Sequence, residues 1–339
     1  MRHLLNTLFV TSENIYLSLD GENVVASREK EAVARYPLHT LTAILTFAYP
    51  GASPALMGAC AQRGISLSFC TPGGKFLARV TGEANGNVLL RRTQYRMADD
   101  PVQSCGIARA MVFGKVHNAR WSIERTRRDH GLRVDDQRLG EVSSQLKTML
   151  SRLLQETDLD SLRGVEGASA TAYFGVFDQM ILGDRSVFHF ETRSRRPPLD
   201  PVNALLSFAY SLLSHDCAGA LESVGLDSYV GFLHRDRPGR SSLALDLMEE
   251  FRPCMADRFV LTCINNRIFQ KTDFVYRENG GKKKSAKPRW FGALFFRFIG
   301  IKDDEAERCA LHFVGWRWAG RASAGIWPRC AVQYGCPPR

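Results

Sequence analysis

At 339 residues the chain exceeds one average domain, so two domains are the natural expectation, and 45% hydrophobic residues supply enough apolar surface for a real core. A formal net charge of +10 suits a polyanionic partner, nucleic acid first, and is equally what a basic protein without such a partner carries. No stretch of about 20 apolar residues occurs, which argues against a helical membrane span.

Arg2 and His3 lead into a short alternating run and not a continuous apolar one, so no signal peptide is read and a soluble, cytoplasmic protein is expected. The nine cysteines form no Cys-x-x-Cys pair, and their number is odd. Buried thiols in a reducing compartment are therefore expected before a zinc ribbon or a disulfide framework.

In chain order, residues 1–92 read as strands. Short β-favouring runs occupy 4–10, 15–19 and 24–26, the last two joined by the turn signal Asp20-Gly21. Further strands fit at 65–70 and 75–81. One helix interrupts them, with Ser53 as N-cap, Pro54 in the first helical position and an apolar stretch through Ala61. Residues 93–101 read as a polar linker ending in Asp99-Asp100-Pro101, where the apolar period changes from 2 to 3.6.

Helices are expected at 102–128, through 139–153 (Leu139, Val142, Leu146, Met149, Leu153), at 161–181, after Asp200-Pro201, and from Ser242 to Arg252 with a resumption beyond Pro253. The fold class is thus α+β: a β-rich domain over 1–92, then a helical domain over 102–281. Beyond it, residues 282–339 open on Lys282-Lys283-Lys284. They carry Trp290, Trp316, Trp318 and Trp327 among Gly, Arg, Pro and Cys, without a sustained period. That tail reads either as an aromatic, basic nucleic-acid-binding arm or as sequence that does not fold with the rest.

Three acidic residues and one histidine stand in or beside segments that read as core. Glu166 lies in Arg163-Gly164-Val165-Glu166-Gly167, His234 closes Gly231-Phe232-Leu233-His234, and Asp246 and Glu249 lie three apart on one predicted helix. A buried carboxylate costs several kcal/mol unless something pairs with it. For Asp246 and Glu249 two partners are open: neighbouring arginines in salt bridges, or a divalent cation bound by oxygen and one imidazole nitrogen. Glu166 either has room for a ligand beside its glycines or simply faces solvent. Arg235, Arg237 and Arg240 follow His234 and suit a DNA backbone, or else form a solvated loop.

Four motifs in order then carry a family resemblance. They are Arg-Gly-x-Glu-Gly-x-x-Ala-x-x-Tyr-Phe (163–174), Asp-Pro-Val-Asn-Ala-Leu-Leu-Ser (200–207), Gly-Phe-Leu-His (231–234) and Leu-Asp-Leu-Met-Glu-Glu-Phe-Arg-Pro (245–253). Together they resemble the CRISPR-associated integrase, the endonuclease of the spacer-acquisition machinery, in its subtype I-C form, over residues 1 to about 280.

The resemblance implies an N-terminal β-sandwich domain that dimerises and an all-helical catalytic domain. It implies a divalent Mg or Mn held by Glu166, His234 and Glu249, with Asp246 as an additional catalytic acid. It also implies three partners: DNA, a second copy of the chain, and a small ferredoxin-like CRISPR-associated adaptation protein. The implied reaction is insertion of short foreign DNA as spacers into CRISPR arrays. Its rivals are a purely hydrolytic metal nuclease acting on branched DNA and a DNA-binding scaffold inactivated by its tail. After about Gly281 the resemblance ends, as it would if the tail were out of the family's register.

Overall fold

The structure is a computed structural model and describes residues 5–12, 14–71, 76–82, 88–195, 197–279, 283–288 and 311–316. Its N-terminal part is built from β1 (Leu5–Val10), β2 (Tyr16–Asp20), β3 (Asn23–Arg28), β4 (Glu31–Pro37), β5 (Ala43–Thr46), α1 (Pro54–Gln62), β6 (Ser66–Cys70) and β7 (Phe76–Val80). β2, β3 and β4 form one antiparallel sheet. A second sheet has the order β10-β1-β5-β6-β7, with β1–β5 and β5–β6 parallel, and its β10 (Leu311–Trp316) comes from the tail.

Leu8, Val10 and Ile44 of one sheet, Leu17, Val24 and Ala26 of the other, and Leu56 of α1 share a single buried cluster. That common apolar layer is what the alternation in each strand supplies. Ser53 caps α1 through Leu56 N at 3.2 Å, with Pro54 at the first turn, as its sequence indicates.

Within residues 1–92, two strands beyond those expected are present. β4 is exposed except at Ala34 and Tyr36, which are half-buried, so no apolar alternation marks it. It is reached through Glu29 and Lys30, both with positive φ (51° and 73°), a tight hairpin turn made without its usual Asn or Gly. β5 is only four residues long.

The second part contains α2 (Val88–Asp99), α3 (Pro101–His130), α4 (Asp136–Leu153), α5 (Leu159–Phe174), α6 (Pro201–Ser223), α7 (Ser242–Phe251) and α8 (Arg258–Asn265). Residues 93–99, read from sequence as linker, are helical. Asp100 ends that helix and caps the next by accepting from Val102 N and Gln103 N. The polarity of α2 misled the reading, because its Gln94 is buried: it donates to Asp227 O and Val230 O and accepts from Asp227 N. α2 thus anchors the chain that leads to His234.

α5 ends at Phe174, short of the expected 181, and a 3-10 turn follows at Phe177–Met180. Between α7 and α8 the chain passes through a wide π-helical stretch, Arg252–Asp257, at Pro253, which has no N–H to continue an α-helix. The expectation of an all-helical second domain is corrected by β8 (Phe274–Asn279) pairing antiparallel with β9 (Lys283–Pro288). Of the tail's four tryptophans only Trp316, at the end of β10, falls among the described residues.

α3 is the central helix. Val112, Val116 and Ile123 on it pack with Leu139 and Leu146 of α4, Leu162 and Val165 of α5, and Met248 of α7 in one cluster. At Gly114 an added Cβ would stand 2.7 Å from Glu250 Cγ, so α3 and α7 approach closely there. That approach brings Lys115 into the interior. The two parts of the chain meet where Arg79 of β7 donates to both carboxylate oxygens of Glu222 at 2.6 Å and Phe76 stacks on His215, centroids 4.1 Å apart. Six cysteines are described, all as free thiols, and five of them are buried. No helix among the described residues is long and apolar enough to cross a membrane.

Candidate active site

α7 carries two acids on one face, and the structure gives them different tasks. Asp246 is completely buried, and its carboxylate is already occupied. Oδ2 accepts from Phe232 N at 2.6 Å and Leu233 N at 2.8 Å, while Oδ1 accepts from His234 N at 3.0 Å and lies 2.5 Å from His234 Nδ1. Gly231 makes this wrap possible, because a Cβ there would sit 2.8 Å from Ser242 Cβ and 2.9 Å from Asp246 Oδ2.

From the other side Arg163 of α5 donates to Leu233 O through Nε at 2.9 Å and a terminal nitrogen at 2.7 Å. The turn before His234 is therefore held by its N–H groups and its carbonyl at once. With Nδ1–H directed at Asp246, the His234 Nε2 lone pair is left for a ligand. Asp246, expected as an additional acid of the site, orients the imidazole.

Glu249 lies one turn further along α7, almost fully buried. Its Oε1 meets the Arg252 guanidinium at 3.0 Å, and its Oε2 lies 2.6 Å from Lys115 Nζ of α3. The same ammonium donates to Glu166 Oε1 of α5. Burial alone would raise the Glu249 carboxyl, but Arg252 and Lys115 outweigh it and hold the group ionised, below the ordinary carboxylate range. Glu166 is the more open member, with its side chain 25% exposed against 4% for Glu249. A Cβ at Gly164 or Gly167 beside it would meet nothing within 4 Å.

A buried polar layer backs this pair. Arg252 lies over the Tyr210 ring at 5.0 Å, and Arg193 lies over it at 5.2 Å. The Tyr210 hydroxyl reaches Asp257 Oδ1 at 2.5 Å. Burial pushes the Asp257 carboxyl up to about 6, against the pull of Tyr210, Tyr173, Arg252 and Lys115. The motif at 200–207 builds the Arg193 end: Asn203 Oδ1 accepts from Arg193 at 2.6 Å, its Nδ2 donates to Asp200 at 2.6 Å, and Ser207 Oγ accepts from Arg193 at 3.1 Å.

The structure therefore brings Glu166 and Glu249 together on one cationic centre and fixes His234 one helical turn away, through Asp246. Among the described residues no group of three His, Cys, Asp or Glu side chains stands within reach of a single ion. The donor set of two carboxylates and an oriented imidazole is one that Mg or Mn accepts. The buried Glu249 Oε2 also receives no hydrogen bond, although Lys115 is near. By donor type the set suits a divalent cation; as the side chains stand, the ammonium of Lys115 lies between Glu166 and Glu249.

Arg235 is exposed and touches Asp160 at 3.3 Å. Arg237 and Arg240 bracket a tight turn closed by Arg240 N to Arg237 O at 3.0 Å, with Pro238 second and Gly239 third at φ 74°. Arg235 and Arg237 are exposed and Arg240 is half-buried, all three within six residues of His234 in sequence. Lys115, Arg163, Arg193, Tyr210, Arg252 and Asp257 were missed as site residues. Only Arg163 and Arg252 carried a signal, since each falls within a motif that also holds a predicted ligand.

The family model described as "CRISPR associated protein Cas1" matches residues 8–289 of this chain. The chain belongs to the Cas1 family. It is 49% identical over 280 residues to a protein of Chlorobaculum tepidum named CRISPR-associated endonuclease Cas1, a match that covers 83% of this chain and 82% of that one. A relative of the same name from Rhodospirillum rubrum is 49% identical over 285 residues, with the same coverage.

Solved structures share the fold. A Cas1 protein from Thermotoga maritima superposes with a TM-score of 0.68 at 20% identity, covering 86% of this chain and 88% of that one. A casposase bound to integration product gives 0.67 at 23%, covering 86% and 81%. All four motifs singled out from sequence lie inside the family match.

Proposed function

We propose that this chain is the integrase of CRISPR spacer acquisition, a DNA endonuclease and strand-transfer enzyme that inserts short foreign fragments into a CRISPR array. The observation that carries the reading is the convergence of Glu166 and Glu249 on one cationic centre beside an imidazole whose Nδ1 is already committed. Close relatives named as endonucleases support it.

In this reading Glu166, Glu249 and His234 Nε2 hold a divalent Mg or Mn. When bound, that cation neutralises charge on the attacked phosphate and orients the attacking oxygen. Asp246 and Arg163 keep the imidazole facing the acids. Arg235, Arg237 and Arg240 bind phosphates of the target duplex, and the open space beside Gly164 and Gly167 admits a strand next to Glu166.

The fragment's 3′-oxygen attacks phosphorus at the repeat boundary. One P–O bond forms as the bond to the adjacent 3′-oxygen breaks, and the proton of the attacking hydroxyl ends on the departing oxygen. The finer parts of the proposal rest on family membership and on the motifs: subtype I-C, a β-sandwich N-terminal domain that dimerises, a small ferredoxin-like CRISPR-associated partner, and action in the cytoplasm. Residues 282–339 are read as a tail outside the family's register, a reading that the end of the family match at 289 supports only beyond that residue, since 282–289 fall inside the match.

A labelled short duplex incubated with a repeat-containing plasmid, the partner protein and Mn tests the function. Label joined to the plasmid at a repeat boundary, lost in Glu249→Gln and in His234→Ala, is expected. Nicked plasmid without joined label would replace integration by hydrolysis, with water as the nucleophile.

A further inference from the structure

Lys115 stands where the proposed metal would stand, and its surroundings assign it a task. Two carboxylates from different helices, Glu166 of α5 and Glu249 of α7, are drawn onto one ammonium from a third, α3. The side chain is only 11% exposed, so this is not a surface pair that solvent screens.

Formal charges balance as the chain stands: Lys115 and Arg252 offset Glu166 and Glu249. A divalent cation added to the same two carboxylates with Lys115 in place would set two further positive charges against the ammonium in a largely buried space. At such separations like charges repel by several kcal/mol, even at an effective dielectric constant of about 20. The ammonium is held by a hydrogen bond to Glu166 Oε1 and by the charge of Glu249, whose Oε2 lies 2.6 Å from Nζ. The route out lies on the Glu166 side, where the side chain is partly exposed and Gly164 and Gly167 leave space.

We propose that Lys115 is a built-in counter-cation: it holds the two ligand carboxylates together in the metal-free chain and withdraws before a divalent cation binds. It thereby sets the metal affinity. This rests on the reading of Glu166 and Glu249 as metal ligands. Lys115 is accordingly a positioning residue, and what its presence predicts is a site kept assembled but weak for metal until the ammonium leaves.

The test is Mn binding by the full chain without DNA, followed by the electron paramagnetic resonance signal of free Mn, for wild type, Lys115→Gln and Lys115→Arg. Removing the charge should tighten Mn binding at least about tenfold. It should also lower the metal-free unfolding midpoint and enlarge the upward shift of that midpoint on adding Mn. The arginine variant should bind as weakly as wild type.

A second measurement needs no variant. Amine acylation read by mass spectrometry should leave Lys115 unmodified in the metal-free chain and modify it at saturating Mn. If wild type binds Mn and Lys115→Gln binds it equally or more weakly, or if Lys115 stays protected at saturating Mn, the counter-cation role is overturned while the metal site stands. If neither wild type nor Lys115→Gln binds Mn, both are overturned.

Discussion

Replacing Asp246 by Asn keeps the size of the side chain and removes one charge, and its consequences can be worked from four contacts. The carboxylate accepts three backbone N–H groups at 2.6, 2.8 and 3.0 Å and faces His234 Nδ1 at 2.5 Å. An amide has one acceptor oxygen, so its NH2 must face donors that have nothing to accept them. Turned toward Phe232 N and Leu233 N, the NH2 forfeits two contacts; turned toward His234 it forfeits the His234 N contact and keeps the one to Nδ1 only by moving the imidazole proton to Nε2.

Hydrogen bonds to a charged group contribute about 1.5–3 kcal/mol each, so losing one or two of them should cost about 1.5–6 kcal/mol. That is a large share of the 5–15 kcal/mol that holds a typical domain together. Urea unfolding should show a much lower midpoint with an unchanged slope. Release of the imidazole should also weaken Mn binding by about 10–100-fold, the usual effect of losing a partner behind a metal ligand. A variant with wild-type midpoint and wild-type Mn affinity would refute the positioning role given to Asp246.

Gly231→Ala should place a Cβ against Ser242 and Asp246 and lower stability by about 1–3 kcal/mol, with loss of DNA joining, as seen by urea unfolding and the plasmid assay. Neutralising Arg235, Arg237 and Arg240 together should make log Kd for DNA less steep against log salt; an unchanged slope would move the basic surface elsewhere. Asp257 is raised in the folded chain to about 6 from 3.8, so the folded state holds a proton that the unfolded chain has released. Its contribution to stability is therefore full below about 3.8 and is lost as pH rises through about 6. Asp257→Asn should flatten that part of the stability–pH curve, and an unchanged curve would show that another group titrates there.

How far the sequence could be read varies from element to element. The four motifs were legible because each keeps its chemistry within about a dozen residues, and the caps at Ser53 and Asp200 are local events. Lys115 was not, because it pairs with residues 51 and 134 positions away and looks, on α3, like one more cation among Arg109, Arg120 and Arg125. Asp246 and Glu249 share a helix face, so spacing alone assigns them to one site. Their roles separate only when the 231–234 turn folds back over the first turns of α7, which depends on Gly231 and on Arg163. β4 carries little sequence signal because most of it faces solvent, and α2 because its one buried position is a glutamine that binds backbone.

The measurement that bears most directly on the proposed centre is electron spin-echo spectroscopy of Mn added to the full chain. One bound Mn with nitrogen coupling from a single imidazole is the predicted result, with that coupling lost in His234→Ala and the ion itself lost in Glu249→Gln. Bound Mn without nitrogen coupling, or coupling that survives His234→Ala, would contradict a centre built from Glu166, His234 and Glu249.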